Sequence, residues 1–564
     1  MEALDWIVIG VFALALIGII VWVVKQKQND SADYFLGGRD ATWIAIGASI
    51  FASNIGSEHL IGLAGAGASS GMAMAHWEIQ GWMILILGWV FVPFYSRSMV
   101  YTMPEFLERR YNPQSRTILS VISLISYVLT KVAVTVYAGG LVFQQVFGIE
   151  ELWGIDFFWS AAIGLVLITA FYTIFGGMKS VLYTSVLQTP ILLLGSLIIL
   201  VLGFKELGGW DEMMRVCGAV TVNDYGDTMT NLIRSNDDAN FPWLGALIGS
   251  AIIGFWYWCT DQFIVQRVLS GKNEKEARRG TIFGAYLKLL PVFLFLIPGM
   301  IAFALHQKYI GAGGEGFLPM LANGTANADA AFPTLVAKLL PAGVKGLVVC
   351  GILAALMSSL ASLFNSSAML FTIDFYKRFR PETPEKKLVG IGQIATVVIV
   401  ILGILWIPIM RSVGDVLYTY LQDVQSVLAP GIAAAFLLGI CWKRTSAQGG
   451  MWGLIAGMII GLTRLGAKVY YSNAGEVADS TFKYLFYDMN WLFFCGWMFL
   501  FCIIVVIVVS LATEAPTAEK IQGLVFGTAT KEQKAATRAS WDHWDIIHTV
   551  IILAITGAFY WYFW

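Results

Sequence analysis

Charged residues are scarce in this sequence: Asp, Glu, Lys and Arg make up 13% of 564 residues, roughly half the share in a soluble globular chain. Apolar residues make up 57% and come in runs of about twenty, the length that crosses a bilayer core of about 30 Å. The composition therefore excludes an ordinary soluble protein and predicts an integral membrane protein. The net charge of −1 says nothing about nucleic acid, but no basic patch with interleaved aromatic residues is present, so no nucleic-acid partner is expected.

Cysteine is also scarce, and long polar stretches are few. Of six cysteines, Cys217 alone falls in a predicted outward loop, so no disulfide between such loops is expected. The longest polar stretches are 204–240, 306–342 and 513–542, and none is long or apolar enough for a catalytic core. No nucleophile–base pairing or metal-ligand spacing stands out, which argues against an enzyme.

What the sequence does contain is fourteen apolar segments suited to crossing a membrane. They are 5–24, 42–71, 74–96, 117–147, 157–175, 180–203, 241–268, 281–305, 343–376, 388–410, 415–441, 449–471, 490–512 and 543–563. The first has lysines after it and no small-residue cleavage site, which predicts a retained helix rather than a signal peptide. Most of the 36 Lys and Arg fall in alternate loops, and this bias places both termini outside.

Polar residues in the second segment predict a break in its helix. The stretch "FASNIGSEHLIGLAG" places Asn54, Gly56, Glu58 and His59 near the middle of that segment. A membrane helix can break only where it lines a buried cavity, because its backbone groups still need partners. Helix packing through small residues explains the following "GLAGAGASSG", but it does not explain the polar cluster.

A second break is predicted five segments later, at Gly254, which is followed by an aromatic cluster and by Asp261 and Gln262. The two broken segments run in opposite directions, so two five-helix units form an inverted repeat, and paired breaks of this kind mark a transporter's binding site. The predicted parts are an extra helix and loop 1–41, a first repeat 42–203, an outward loop 204–240, a second repeat 241–441 and three C-terminal helices 442–564.

Several stretches resemble signatures of one family. They are "GASIFASNIGSEHLIGLAGAGASSG", "YTMPEFLERRYN", "FYTIFGGMKSVLYT", "WYWCTDQFIVQRVLSGKN", "GAYLKLLPVFLFLIPGM", "LAALMSSLASLFNSSAMLFTIDFY" and "YLQDVQSVLAPGIAAAFLLGICWKR". In this order they resemble the sodium–glucose cotransporters of the solute:sodium symporter family, over about residues 33–445. The fold implied by the resemblance is the LeuT-type five-plus-five inverted repeat, an all-α integral membrane fold that agrees with the segment pattern.

The resemblance implies sodium-coupled uptake of a sugar by alternating access, with sodium as the co-transported ion and no covalent chemistry. A glucose- or galactose-like hexose is the first expectation, and a polyol such as myo-inositol or a sugar sensor of the same fold are alternatives. A channel would need a continuous polar pore instead of polar residues clustered at one depth. We expect a multi-pass plasma-membrane protein, favour a bacterial inner membrane from the short tail after 512, and expect function as a monomer.

The resemblance also implies roles for single residues. Sugar contacts are expected from Asn54, His59, Glu78, Tyr257, Trp258, Lys288 and Gln422. A carboxylate accepts from neighbouring hydroxyls, an ammonium donates to them and amides do both. Gate positions are Leu63, Trp77 and Tyr418 on the outer side and Tyr257 on the inner side. Oxygens for sodium are expected from the carbonyls of Ala52, Ile55 and Ala355 and from the hydroxyls of Ser358 and Ser359.

Charges inside a membrane are functional hypotheses by default, and Glu78 and Lys288 are the clearest. The alternatives without a functional role are that Glu78 faces the lipid headgroups and that Lys288 extends its ammonium to the membrane surface. Two positions depart from the family pattern: Gly254 replaces a side chain that can approach the sugar, and Ile79 replaces a common Trp. Asp423 has no assigned role. Lys131 is without a role as well.

One further departure bears on stoichiometry. Ser185 stands where the sugar cotransporters usually carry Asp, and one turn beyond the serine pair the chain offers Ala361 and a single hydroxyl, Ser362. A dehydrated cation site needs a full oxygen shell and favours a formal negative charge, because desolvating an ion is costly. The sequence therefore predicts one sodium per sugar.

Overall fold

The computed structural model describes residues 1–26, 30–56, 58–152, 154–321, 324–411, 417–473 and 478–564, without the side chains of 128–130, 133, 138, 141, 145, 406–421 and 472–473. Ser57 of the polar cluster lies outside these residues, and so does the side chain of Tyr418.

Helices account for most of the described chain. The α-helices are α1 Ala3–Val24, α2 Ser31–Leu36, α3 Trp43–Asn54, α4 Ala64–Ser70, α5 Ala75–Glu78, α6 Gly81–Ile86, α7 Val92–Ser98, α8 Met103–Arg110, α9 Pro113–Ser126, α10 Ala133–Phe147, α11 Phe157–Leu207, α12 Trp210–Gly218, α13 Trp243–Gly254 and α14 Gln262–Leu269. They continue with α15 Glu274–Lys288, α16 Ile297–Gly311, α17 Ala331–Leu339, α18 Val344–Met369, α19 Lys377–Phe379, α20 Glu385–Arg411, α21 Leu417–Cys441, α22 Ala447–Asn473, α23 Thr481–Lys483, α24 Trp491–Ala512, α25 Ala518–Ile521, α26 Lys531–Ala539 and α27 His543–Tyr562.

Shorter elements join or extend these helices. The π-helical stretches are Glu58–Leu63, Leu87–Phe91, Tyr127–Val132, Phe255–Thr260, Val292–Leu296, Leu370–Tyr376 and Tyr484–Asp488. The 3₁₀ turns are Gly37–Arg39, Gly71–Met74 and Ala328–Ala330. Strands β1 Glu151–Leu152 and β2 Ile155–Asp156 form a small antiparallel pair. Within membranes, π-bulges of this kind are local adjustments often found near functional sites.

In the part of the chain that is described, eleven helical stretches are long and apolar enough to cross a membrane. Two of them bend at a glycine whose positive φ other residues rarely adopt: Gly71, with φ 68°, and Gly177, with φ 52°. Each bend falls where the sequence predicts the junction of two segments. The multi-pass helical class is thereby established, while the count of fourteen crossings stays a prediction.

The first predicted break is present. α3 ends at Asn54 because Ile55 is extended, with φ −82° and ψ 105°, and helix resumes at Glu58. The helix therefore stops within the polar cluster, and carbonyl groups at the end of α3 lose their helical partners.

The second break lies seven residues beyond its predicted place. Gly254 is helical, with φ −62° and ψ −40°, and the chain stays helical to Thr260. The extended residue is Asp261, with φ −78° and ψ 127°, and its carboxylate accepts the backbone N–H of Phe263 to cap α14. The prediction at Gly254 was wrong because glycine permits a break without imposing one, whereas Asp is a strong N-cap that starts a new helix.

The core is formed where the broken helices meet their neighbours. α18 packs most extensively against α11, and α3 packs against α15. The second half of the first broken helix, α4, crosses α16 and the π-helical turn before it so closely that a Cβ on Gly67 would overlap the Leu296 carbonyl, and one on Gly299 would overlap that of Ala64. This crossing agrees with the packing role predicted for "GLAGAGASSG".

Several loops rich in Lys and Arg contact one another, since Arg39 donates to the Met99 and Val100 carbonyls and Arg378 donates to the Pro113 carbonyl. We call the end of the bundle that these loops form the basic side. There Arg116 donates to Asp374 at 2.7 Å and to Glu108 at 2.5 Å, joining α9 to the end of α18. Lys520, in the chain that links α24 to α27, donates to the Glu108 carbonyl at 2.8 Å. Two ion pairs of Arg116 and the bond of Lys520 to a backbone carbonyl therefore connect separate segments on the basic side.

Candidate substrate and ion site

The two broken helices enclose a cavity in the middle of the bundle. It is lined by Asn54, Glu58, His59, Trp77, Glu78, Gln80, Lys131, Thr135, Ile253, Gly254, Tyr257, Trp258, Phe263, Lys288, Ser359, Leu363, Gln422 and Gln425. All seven side chains predicted to contact the sugar are in this set. The free volume is about 60 Å³, so these side chains have to move apart to admit a ring-sized solute.

A buried ion pair lies at the centre of the cavity. Lys288 Nζ donates to Glu78 Oε2 at 2.6 Å and to Asn54 Oδ1 at 3.0 Å. His59 Nε2 lies 3.3 Å from the same Glu78 oxygen. The side chains of Glu78 and Lys288 are 2% and 3% exposed, so neither reaches a headgroup or snorkels to water. Four polar groups from three segments therefore point at one another.

Aromatic rings form the wall next to this pair. Tyr257 OH accepts from Asn54 Nδ2 at 3.2 Å, and the Tyr257 and Trp258 rings meet edge to face at 4.9 Å. Trp258 Nε1 lies 3.3 Å from Gln80 Oε1. Because a Cβ on Gly254 would overlap the Gln80 amide, Gln80 occupies the space that the missing side chain at 254 leaves. Tyr257 and Trp258 precede the second break instead of following it.

The predicted outer-gate residues are placed differently from one another. Trp77 lines the cavity and stacks on Trp491 at 5.5 Å, whereas Leu63 is fully buried in the core and is not among the lining residues. Tyr418 falls on α21, where its side chain is not described. Gln422 follows on the same helix, and its Oε1 has no hydrogen-bond partner among the described residues. It is an acceptor available to a substrate.

Of the residues predicted to hold sodium, Ser359 and Ile55 are in contact at the first break. Ser359 Oγ donates to the carbonyl of Ser53 at 3.0 Å and lies 3.3 Å from that of Ile55. Ala52 and Ala355 are buried on α3 and α18, which pack against each other. The Ser53 carbonyl was not predicted, and unwound backbone supplies it. Carbonyl and hydroxyl oxygens of this kind are suitable ligands for a hard cation.

Hydroxyl groups continue beyond this point without a carboxylate. Ser358 Oγ lies 3.3 Å from Ser185 Oγ, and Ser185 also donates to the carbonyl of Val181 at 2.6 Å. Ser53 and Ser362 pair through their hydroxyls at 2.6 Å. The described side chains at the position of the expected acid thus bring hydroxyls and no formal charge.

Several lining residues were not predicted as site residues: Glu58, Gln80, Lys131, Thr135, Phe263, Leu363 and Gln425. Gln80 and Lys131 carry a usable signal, since a polar side chain inside an apolar segment is costly without a partner. Thr135, Leu363 and Phe263 carry none, because such residues are common in any membrane helix. Asp423, also without a predicted role, forms an ion pair with Lys468 of α22.

A multi-pass helical protein with two broken helices around a buried polar cavity belongs to the class of membrane transporters. The model of the "Sodium:solute symporter family" matches residues 34–457. Human "Sodium/myo-inositol cotransporter 2" is 36% identical over 94% of this chain and 79% of its own length. The dog "Sodium/myo-inositol cotransporter" is 37% identical over 89% of this chain and 72% of its own. The chain belongs to the sodium:solute symporter family.

A solved structure supports the fold separately. A substrate-bound, outward-open Na⁺-coupled sialic acid symporter superposes with a TM-score of 0.73 at 21% identity, covering 92% of this chain and 99% of that one. The predicted family and inverted-repeat fold are confirmed. So is the prediction of a sodium-coupled symporter, with sodium as the co-transported ion, and not an enzyme. These relatives are named for myo-inositol, which corresponds to the polyol alternative and not to the hexose expected first.

Proposed function

We propose that this protein carries a cyclic polyol of the myo-inositol type together with sodium by alternating access. The carrying observation is the buried Lys288–Glu78 pair with Asn54 in the cavity. A carboxylate, an ammonium and an amide in contact present both acceptors and donors to a ring whose hydroxyls do both. Buried polar groups need hydrogen-bond partners in each conformation of the transport cycle. Vicinal hydroxyls of a substrate are suitable partners when the pair opens.

Two observations favour a polyol over a hexose. The curated relatives are myo-inositol cotransporters, and the Gln80 amide takes the place of a side chain at Gly254. Gln80 Nε2 donates to the Ser250 carbonyl at 2.8 Å, which holds this amide against the wall of the cavity. A cyclic polyol has a hydroxyl on every ring carbon, and each hydroxyl can both donate to and accept from an amide such as that of Gln80. A pyranose has a ring oxygen at one position, and this oxygen can only accept.

A glucose- or galactose-like hexose is the second candidate. It is favoured by the two aromatic rings of Tyr257 and Trp258, which can cover the apolar C–H face of a pyranose. The hydroxyl contacts proposed for Glu78, Lys288 and Asn54 would serve it equally. Discrimination therefore depends on how many hydroxyls the substrate offers on the Gln80 side.

The sodium site is proposed at the first break. The carbonyls of Ala52, Ser53 and Ile55 with the hydroxyls of Ser358 and Ser359 would supply its oxygens. The contacts of Ser359 with two of these carbonyls support this proposal. Since Asn54 stands between these carbonyls and contacts Lys288, ion binding at the break would position a substrate ligand directly.

Uptake into proteoliposomes tests the substrate. Labelled myo-inositol, glucose and galactose are offered with an inward sodium gradient, with an inward potassium gradient and without a gradient. We expect sodium-dependent uptake with myo-inositol preferred, and its loss in Glu78→Gln. The matched control is Glu385→Gln, which removes a carboxylate bound to Lys377 and Ser31 on the basic side. Preference for glucose would favour the second candidate, and absence of sodium-dependent uptake would contradict both.

The placement in the membrane is also a proposal. The excess of Lys and Arg in alternate loops supports placing the basic side in the cytoplasm, which leaves both termini outside. Location in a bacterial inner membrane and function as a monomer stay predictions from the sequence. Labelling of a cysteine added next to Trp564 in intact cells, compared with permeabilised cells, tests the orientation.

A further inference from the structure

A second buried ion pair lies between the cavity and the basic side. Lys131 Nζ donates to Asp261 Oδ2 at 2.6 Å, and the two side chains are 8% and 2% exposed. Asp261 is the extended residue of the second break. Tyr127 OH donates to the other Asp261 oxygen and accepts the N–H of Phe263 at 3.0 Å. Charges at this depth are costly, and the substrate and ion sites do not account for them.

The ammonium of Lys131 is surrounded by aromatic rings. It lies 4.6 Å from the ring centre of Phe263, 4.8 Å from that of Tyr257 and 5.0 Å from that of Tyr127. Tyr257 and Phe263 also line the cavity. Tyr257 is thus held between Asn54, which donates to its hydroxyl at 3.2 Å, and a desolvated cation, a geometry in which cation–π attraction is strongest. Tyr257 cannot swing away without uncovering Lys131.

Glu58, whose carboxylate lines the cavity, lacks at one oxygen the kind of partner that Asp261 has. Glu58 Oε2 is buried and has no hydrogen-bond partner within the described part of the chain. Its carboxylate folds back over the first break, where a Cβ on Gly56 would overlap it. Glu58 and Lys131 both line the cavity. Lys131 therefore shares the cavity lining with the Glu58 carboxylate and in this conformation pairs with the carboxylate of Asp261.

We propose that Lys131 is a positioning residue of the inner gate that exchanges Asp261 for Glu58 as the transporter opens toward the basic side. Paired with Asp261, it holds Tyr257 and the start of α14 closed. When α14 moves, an unpaired Lys131 would be strongly unfavourable, and Glu58 is the anion available to receive it. The exchange would join the break that holds sodium to the break that carries the gate. This inference rests on the alternating-access function proposed above.

The test measures access to the cavity from the basic side. Thr135→Cys, in a background without other cysteines, is exposed to an impermeant maleimide in vesicles whose basic side faces out, without sodium or polyol. In Asp261→Asn, Lys131 is left with Glu58, so we expect alkylation to be faster by about tenfold or more. In Glu58→Gln, the open state loses its anion, so we expect a decrease of similar size. Shifts in the same direction, or none, would overturn the proposal.

Two further variants separate gating from damage. The double variant Lys131→Met with Asp261→Asn removes both charges and leaves no unpaired ion, so it is expected to fold even if Asp261→Asn does not. We expect it to be alkylated faster than the parent, because the Lys131–Asp261 pair that holds the gate closed is gone. A parent-like rate in the double variant would overturn the proposal. Arg279→Gln breaks contacts with Asp542 and Asp545 outside the cavity and should leave the rate unchanged; a shift there equal to that of Asp261→Asn would also overturn it. Because alkylation uses no substrate, failure of polyol uptake would contradict the proposed function alone.

Discussion

The cavity brings together charged residues that would be unfavourable apart. Glu78 and Lys288 are each almost fully buried and lie 2.6 Å apart, and the loss of one strands the other. Removing one partner of such a pair costs about 3–5 kcal/mol, more than the intact pair contributes. Substitutions at Glu78 therefore mix substrate contacts with electrostatics. Gln422 Oε1 has no hydrogen-bond partner among the described residues, so a substitution there reports on the substrate contact.

At Gln422 we expect Gln422→Ala to abolish measurable polyol transport while the protein inserts and melts as the parent does. Loss of the Gln422 amide would leave a substrate hydroxyl without a partner, which costs about 1–3 kcal/mol of binding free energy. Glu78→Ala should abolish transport too, and should in addition lower the melting temperature. Substrate binding by scintillation proximity and thermal unfolding measure the two effects. Parental affinity in either variant would contradict the assignment.

At the ion site we expect Ser359→Ala to raise the sodium concentration for half-maximal transport, since its hydroxyl contacts two carbonyls of the break. Loss of one ligand from a small oxygen shell should weaken binding by about tenfold, or 1.4 kcal/mol. Thr396→Ala is the matched control, because that buried hydroxyl donates to the Gly392 carbonyl of its own helix and does not line the cavity. An unchanged sodium dependence in Ser359→Ala would place the ion elsewhere.

Outside the membrane-spanning helices, burial raises the pKa of Asp329 to about 6 from 3.8. The folded state therefore holds the proton more tightly than the unfolded state, and stability falls as pH rises from about 4 to 6. We expect Asp329→Asn to be more stable than the parent at pH 7.5, by at most about 3 kcal/mol. The difference should shrink at pH 5. Melting curves at both pH values decide it, and a constant difference would refute the titration.

Among the helices, α4 and α16 cross in close contact. Gly67 and Gly299 let the two backbones touch, since a Cβ at either would overlap a carbonyl of the other helix. In a membrane, helices associate by close packing and not by burial from water. The crossing therefore holds the second half of the first broken helix in place while its middle is unwound.

We expect Gly299→Ala to separate these helices and to lower both stability and transport, at a cost of about 1–3 kcal/mol for overpacking. Gly311→Ala, on the same helix with nothing within 4 Å of a Cβ, is the matched control and should be neutral. Thermal unfolding in detergent measures the difference. Equal melting temperatures of the two variants would show that α4 adjusts freely.

For the whole transporter, the absence of a carboxylate beside Ser185 predicts how many ions move. The described side chains there are hydroxyls that bond to Ser358 and to the Val181 carbonyl. A second dehydrated cation would lack a formal negative charge, so we expect one sodium per polyol. Reversal potentials in proteoliposomes at several gradients measure the ratio. A second charge would add about 2.3 kcal/mol per 100 mV, and a two-to-one slope would refute the prediction.

The class of protein, the first helix break and several site residues could be predicted from the amino-acid sequence alone. Scarce charge and apolar runs dictate a membrane protein, since no other solvent accepts so much apolar surface. The polar cluster 53–59 predicts the first break, because polar groups are unfavourable in a membrane helix unless they line a cavity. Glu78, Lys288 and Asn54 could be proposed because buried charges need partners and because their motifs resemble those of a known family.

Which partners these residues have depends on how distant segments meet. Lys288 joins Glu78 from 210 residues away, and no local rule distinguishes this pairing from one with Glu58. Gln80 fills the space at Gly254 because two helices touch there, and the second break falls at Asp261 because a cap forms with Phe263. Side-chain type limits what a residue can bind, but distance and burial, which only packing of the helices sets, choose the partner.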